Sequence, residues 1–158
     1  MRRMPTTILK GDLFNTPDLK AYAHACNCAG TMDVGVSVAF KKRWPRMYEE
    51  YVQRCQDKRL ALGDVFVWLE DDVVVYNLAI QQNWRARSKL SAFSRAAHKM
   101  IELAAAAGVP RIGIPRIGAG LGGLDWRRVR SILLEEGEKS PVELLVFEQF
   151  VRAAGPAA

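Results

Sequence analysis

The sequence has no apolar run approaching the roughly 18 residues that a membrane-spanning helix requires. Behind the two arginines of MRRMPTTILK there is also no apolar stretch of the kind a secretory signal carries. A membrane or exported protein is therefore not expected, and the chain reads as cytoplasmic. Only three cysteines occur, Cys26, Cys28 and Cys55. Their odd number, and a Cys-x-Cys spacing that sets the first two side by side on a strand, argue against a disulfide framework and for reduced thiols in a core or pocket wall. Histidine is scarcer still, with two. His24 is the one potential partner near the cysteines and His98 stands alone on a helical stretch, too few ligands for a metal, so neither a metal nor another cofactor is expected. No repeat, linker or low-complexity tract interrupts the chain, and 158 residues read as one domain spanning 1–158. What remains is ordinary for a soluble globular protein, at 49% hydrophobic and 25% charged. The net charge of +6 suits an anionic ligand or nucleic acid, and equally a merely soluble surface.

Strand and helix patterns alternate along the chain. Thr6 to Leu9 and Ala21 to Cys26 are short apolar runs that predict strands, separated by the turn chemistry of Asn15-Thr16-Pro17-Asp18. Val34 to Arg43 turns helical, capping of that helix being one of two readings of Asp33, and a second helix begins at Pro45 and continues through Met47, Tyr51 and Cys55. Asp64 to Leu69 and Val73 to Leu78, joined by Glu70-Asp71-Asp72, predict a hairpin. After a polar stretch around Trp84, Ser88 is the expected N-cap of a long helix that Gly108 and Pro110 stop. Val142 to Phe147 supplies a last strand. Alternation of this kind predicts a three-layer α/β/α sandwich around a central mixed sheet. Ligands in such folds bind beyond the carboxyl ends of the strands.

The most informative stretch is Arg111 to Trp126, RIGIPRIGAGLGGLDW. A short apolar run meets Pro115, then a loop bearing Gly118, Gly120, Gly122 and Gly123, then Asp125 at the head of a helix whose Trp126, Val129, Ile132 and Leu133 share one face. Strand, glycine loop and helix N-terminus together suit a phosphate-bearing ligand, because glycines bring bare N–H groups close to an anion. The loop matches neither the Walker pattern nor G-x-G-x-x-G, and glycine turns serving geometry alone remain the other option.

Three loops in order carry a resemblance. Lys10-Gly11-Asp12-Leu13-Phe14, Asn27 with the Gly30 to Gly35 loop, and Pro115 through Trp126 together resemble the macrodomains, a family that binds ADP-ribose. Phe40-Lys41-Lys42-Arg43-Trp44-Pro45, Trp84-Arg85 and Gly120 to Trp126 bring the likeness nearest to the macrodomains of DarG-like antitoxins and the terminal ADP-ribose glycohydrolases. The resemblance implies that Asp12, with Leu13 beside it, accepts a hydrogen bond from the adenine amino group, and that Asn27 and Gly35 meet the distal ribose. It further implies that Gly118, Ala119, Gly120 and Leu121 wrap the diphosphate, that Phe147 is a pocket-wall aromatic, and that Pro115 and Gly122 also bind the ligand. Asp12 as a turn cap, Asn27 as an Asx turn and Phe147 as a core residue are the alternatives. Arg116 is expected to brace the loop.

Two positions depart from the likeness. Gln81 stands where those relatives carry a lysine that attacks the sugar, and Gly122 stands where they carry an aspartate. Glutamine has no titratable amine and forms no covalent sugar adduct. The expectation is therefore a hydrolase that removes ADP-ribose from a modified protein or nucleic acid by way of water, with Asn27 and Asp33 as its catalytic pair. A non-catalytic reader of ADP-ribosylated macromolecules and an O-acetyl-ADP-ribose deacetylase are the alternatives. Lys41, Lys42, Arg43, Arg85, Arg87 and Lys89 would suit a nucleic-acid backbone, or stand as solvated surface.

Overall fold

A computed structural model describes residues 6–117 and 122–152. The chain runs β1 (Thr7–Gly11), a 3-10 turn (Leu13–Asn15), β2 (Ala21–Asn27), α1 (Val36–Arg43), α2 (Pro45–Gln56), β3 (Val65–Glu70), β4 (Val73–Gln81), α3 (Leu90–Ala106), β5 (Arg111–Pro115), α4 (Trp126–Glu138) and β6 (Glu143–Phe150). The six strands form one sheet in the order β1-β6-β5-β2-β4-β3. Five are parallel to one another, and β3 pairs antiparallel with β4 as the expected hairpin.

Strand alternation explains the three layers. In β4, Val74, Tyr76, Leu78 and Ile80 pack with residues of α3 and α4, whereas Val75 and Ala79 pack with residues of α1 and α2. β2 divides likewise, with Ala21 and Ala23 on the α3/α4 side and Tyr22 and Cys26 on the other. A strand covered on both faces must be apolar almost throughout, which is why β4 is apolar from Val73 to Ile80 but for the buried Asn77. The result is the expected α/β/α sandwich.

Local signals set most of the helix ends. Pro45 opens α2, the Oδ1 of Asp125 accepts the Arg127 N–H at 3.0 Å to cap α4, and Gly108, at φ +72°, follows α3. Two predicted caps are corrected. α1 starts at Val36, behind Gly35 at φ +65°, so Asp33 lies outside the helix and does not cap it. α3 starts at Leu90 with no side-chain cap, because the Ser88 N–H is drawn to the Gly122 carbonyl (2.9 Å) and the Lys89 N–H to the Ile80 carbonyl (2.8 Å). Tertiary pairing overrides the local cap at α3, and the Gly35 turn displaces it at α1.

Parallel pairing brings the carboxyl ends of β1, β6, β5, β2 and β4 to one edge, with Gly11 opposite Phe150, Pro115 opposite Phe147, and Asn27 opposite Gln81. The register slips at Leu9/Lys10 and again at Cys26/Asn27, both at that edge. Such irregularities bend a strand and re-aim its last side chains. The turn after β1 is anchored through Gly113. A Cβ there would meet Leu19 Cδ2 at 2.6 Å and Leu13 Cδ1 at 2.7 Å, and both leucines are buried. Gly113→Val should therefore lower stability by about 1–3 kcal/mol through overpacking, measured by urea unfolding. An unchanged midpoint would show that Leu13 and Leu19 can move aside freely.

Candidate functional site

Two recesses open beyond that strand edge. One, of about 720 Å³, is lined by Asp12, Leu13 and Phe14 after β1, by Pro115, by Phe147 and Phe150 on β6, and by Arg43 and Arg152. The other, of about 670 Å³, is lined by Asn27, Asp33, Gly35, Ser37, Gln81, Trp84 and Gly122. Val36 and Arg116 border both, so the two form a proximal and a distal lobe of a single cleft.

The proximal lobe is aromatic and basic. Phe14 packs against Phe40 with ring centroids 5.2 Å apart, and the Arg43 guanidinium lies 4.2 Å above the Phe14 ring. Phe147 is buried against Gly11, where an added Cβ would come within 3.4 Å of its ring. Asp12 caps the 3-10 turn: Oδ1 accepts the Phe14 N–H at 3.2 Å and Oδ2 accepts from Asn15 Nδ2 at 3.2 Å. The turn therefore fixes the carboxylate at the lobe's edge.

In the distal lobe the amide of Asn27 is engaged by its own loop. Nδ2 donates to the Thr31 carbonyl (3.1 Å) and Oγ1 (2.8 Å), and Oδ1 accepts the Ala29 N–H at 2.9 Å. The Tyr51 hydroxyl, from α2, lies 2.8 Å from the same oxygen and 2.7 Å from the Asn27 carbonyl. Asp33 is exposed at the lip and pairs with Lys41 at 3.4 Å. Gln81 Nε2 donates to the Ala86 carbonyl at 2.6 Å, tying down the segment that follows β4. At Gly122 a Cβ would lie 2.8 Å from Ser88 Oγ, so that segment occupies the space a side chain would need. Trp84, 56% exposed, flanks the lobe with Arg85 4.7 Å above its ring. No lysine is among the described residues lining this lobe.

The sequence model described as Macro domain matches residues 23–133. The chain belongs to the macrodomain family. A DNA ADP-ribosyl glycohydrolase of Mycobacterium tuberculosis is 30% identical over 135 residues, 83% of this chain but 38% of that protein. The human ADP-ribose glycohydrolase OARD1 is 27% identical over 141 residues, covering 89% of this chain and 90% of its own length. The solved macrodomain of Mycobacterium tuberculosis DarG superposes with a TM-score of 0.82 at 28% identity, covering 90% of this chain and 97% of that one. This chain thus spans about 38% of the DNA-directed relative it matches.

Within the macrodomain cleft, Asp12, Leu13, Pro115 and Phe147 gather in the proximal lobe, and Asn27, Asp33, Gly35, Gln81 and Gly122 in the distal one. Gly118, Ala119, Gly120 and Leu121 lie outside the described residues. Of the basic residues, Arg43 enters the proximal lobe and Arg85 covers Trp84, while Lys41 and Lys42 line a neighbouring groove. Arg116 sits between the lobes with its guanidinium 5.5 Å from the Trp126 ring, in keeping with a bracing role. Sequence patterns did not reveal Thr31, Tyr51 or Ser37 as parts of the site. For Tyr51 there was a signal, since a tyrosine on a core-facing helix stripe needs a partner for its hydroxyl.

The thiols are not poised as nucleophiles. Burial pushes the Cys26 thiol well above its ordinary range and the Cys28 thiol up to about 11. No group of three His, Cys, Asp or Glu among the described residues is arranged for a metal ion. No described helix is long and apolar enough to cross a membrane. His98 is a surface histidine held between Glu102 and Glu136, whereas His24 is fully buried, stacked on Phe40 at 4.0 Å and bonded to Asn77. Burial lowers the His24 pKa from 6.5 to about 4. Between those values the unfolded chain binds a proton that folded His24 refuses, so stability falls as pH drops through that window. The loss reaches on the order of 3 kcal/mol at the acid end. His24→Phe should flatten this dependence in urea unfolding between pH 6.5 and 4, and an unaltered slope would assign it to other groups.

Proposed function

We propose that this macrodomain binds ADP-ribose across the two lobes and hydrolyses it from a modified macromolecule, with water as the nucleophile. The observation that carries the proposal is the pairing of the lobes. An aromatic recess with a fixed carboxylate adjoins a polar recess bounded by Asn27 and Asp33, and the two meet at Val36 and Arg116. A nucleotide joined through a diphosphate to a second sugar has that layout. The names of the relatives, a DNA ADP-ribosyl glycohydrolase and an ADP-ribose glycohydrolase, support the same chemistry.

Asp12 takes the adenine amino group, between Leu13 and the Phe147 wall. Pro115 and the loop of Gly118, Ala119, Gly120, Leu121 and Gly122 receive the diphosphate, where backbone N–H groups are the natural anion donors. The distal ribose lies against the Asn27 loop and Gly35. Asn27 acts by fixing that loop, since its own amide is committed within it. Water attacks the anomeric carbon as the bond to the macromolecule breaks. Its proton passes to Asp33 or to the ligand's own phosphate, and the departing atom takes up a proton. With no lysine lining the distal lobe, an imine with the sugar has no donor there. The free thiols suit a cytoplasmic setting. Basic Arg43 and Arg85 at the rims suit a nucleic-acid target. A reader that binds without turnover is the second possibility, favoured by the same missing lysine.

Calorimetry should find ADP-ribose bound more tightly than AMP. Asp12→Ala should weaken both by about 1.5–3 kcal/mol, the range for a hydrogen bond to a charged group. Equal affinity for AMP and ADP-ribose would remove the distal lobe from the binding site. Turnover is tested on ADP-ribosylated DNA and protein side by side. Borohydride should trap no protein–sugar adduct, and Asp33→Ala should depress turnover about a hundredfold or more while binding persists, as loss of a general base does. A trapped adduct would refute the water route. Intact binding without release from any substrate would establish the reader.

A further inference from the structure

Ser37 stands in the first turn of α1 and lines the distal lobe. Behind it runs a polar chain into the core. Asn77 Nδ2 donates to the Phe66 carbonyl at 3.1 Å, which turns Asn77 Oδ1 toward His24 Nε2. An amide oxygen only accepts, so Nε2 carries the imidazole hydrogen, and in the neutral ring Nδ1 is left as an acceptor. Ser37 Oγ lies 3.2 Å from that Nδ1 and 3.2 Å from the Ala25 carbonyl. Both neighbours accept and neither donates. The hydroxyl hydrogen is therefore committed to the protein whichever partner it takes, and only oxygen lone pairs face the lobe.

We propose that Ser37 is the acceptor by which the distal lobe holds a hydroxyl of the bound sugar, with His24 and Asn77 as the positioning residues that fix its polarity. This rests on the ADP-ribose reading of the cleft. A serine at a helix N-terminus ordinarily gives its hydrogen to an anion; here a phosphate oxygen would meet a second acceptor and be repelled. A sugar hydroxyl, which donates, fits. The Ser37–His24–Asn77 order also resembles that of an acyl-transfer triad, but the chemistry differs. A proton passed from Ser37 to Nδ1 would create an imidazolium that is fully buried and faces a neutral amide, where such triads supply a carboxylate. Burial already holds the ring neutral down to about pH 4. Ser37 positions the sugar and does not attack it.

The test is calorimetric titration of wild type, Ser37→Ala and Ser37→Cys. The ligands are ADP-ribose, ADP, and two ADP-ribose analogues in which one or the other secondary hydroxyl of the distal ribose is replaced by hydrogen. Both variants should bind ADP-ribose about three- to tenfold more weakly, the span of one net hydrogen bond, and bind ADP as wild type does. One of the two deoxy analogues should bind wild type and Ser37→Ala alike, because the group that Ser37 holds is already missing. His24→Phe leaves the Ala25 carbonyl to take the hydroxyl hydrogen, so it should weaken ADP-ribose binding less than Ser37→Ala does and leave ADP binding unchanged. Unchanged ADP-ribose affinity in Ser37→Ala, an equal loss for ADP and ADP-ribose, or an equal loss for both analogues overturns the proposal. So does a glycosidic adduct between Ser37 and the sugar detected by intact mass. If wild type itself binds ADP-ribose no better than ADP, the assignment of the distal lobe fails, and the role of Ser37 with it. A clear wild-type preference without coupling to Ser37 overturns the role of Ser37 alone.

Discussion

The side-chain amide of Asn27 is the tie on which the rest of the cleft depends. It sits where β2 slips register against β4, at the point where the strand must hand over to a loop. Its two N–H groups hold both oxygens of Thr31, and its oxygen collects the Ala29 N–H and the Tyr51 hydroxyl. Tyr51 belongs to α2 and is fully buried, so the same knot joins a strand end, a loop and a helix of the outer layer. Only an amide offers two donors and an acceptor from one planar group. Aspartate would oppose the Thr31 carbonyl, and an aliphatic residue would give up every one of these side-chain bonds, leaving the Tyr51 hydroxyl the backbone carbonyls of residues 27 and 31.

Rigidity passes outward from that knot. With Thr31 fixed, the next residue, Met32, is buried almost completely, and the chain then rises to Asp33 and Val34 at the surface before Gly35 turns it into α1. Gly35 at φ +65° is a position that L side chains seldom occupy, and it sets the direction in which α1 begins. Ser37 then meets His24 from above while Phe40 stacks on the same ring. The wall of the distal lobe thus stands on buried polar groups that are mutually satisfied. Such networks specify one arrangement more sharply than apolar packing does.

This division explains what the sequence could and could not disclose. β4 was legible because a strand buried on both faces has no choice but an apolar run, and α4 because Asp125 caps it from within three residues. The two lobes were legible as loops, since Asp12, Asn27 and Asp33 follow strand ends and strand ends converge in a parallel sheet. The caps considered at Asp33 and Ser88 failed for different reasons. Gly35 starts α1 two residues beyond Asp33, whose carboxylate pairs with Lys41 of that helix, whereas the Ser88 backbone is turned to Gly122, far along the chain. The polarity of Ser37 was equally hidden, because it is set by Asn77 and Phe66, some forty and thirty residues along the chain.

The same consideration joins positions 81 and 122, the two at which the sequence departs from the expected likeness, into one physical arrangement. Positions 81 and 122 both border the distal lobe, and both secure the stretch between β4 and α3. Gln81 holds it through the Ala86 carbonyl, and Gly122 holds it through the Ser88 N–H while leaving room for the Ser88 hydroxyl. An ammonium at position 81, reaching into the lobe toward a sugar, would release Ala86. A side chain at 122 would push Ser88 out and loosen the same stretch from the other end. With glutamine and glycine in place, the segment carrying Trp84 and Arg85 is held against the cleft. The polar groups that border the distal lobe, Asp33 and Ser37 on one wall and a tethered amide on the other, include no amine among the described residues, so none of them can form an imine with a sugar.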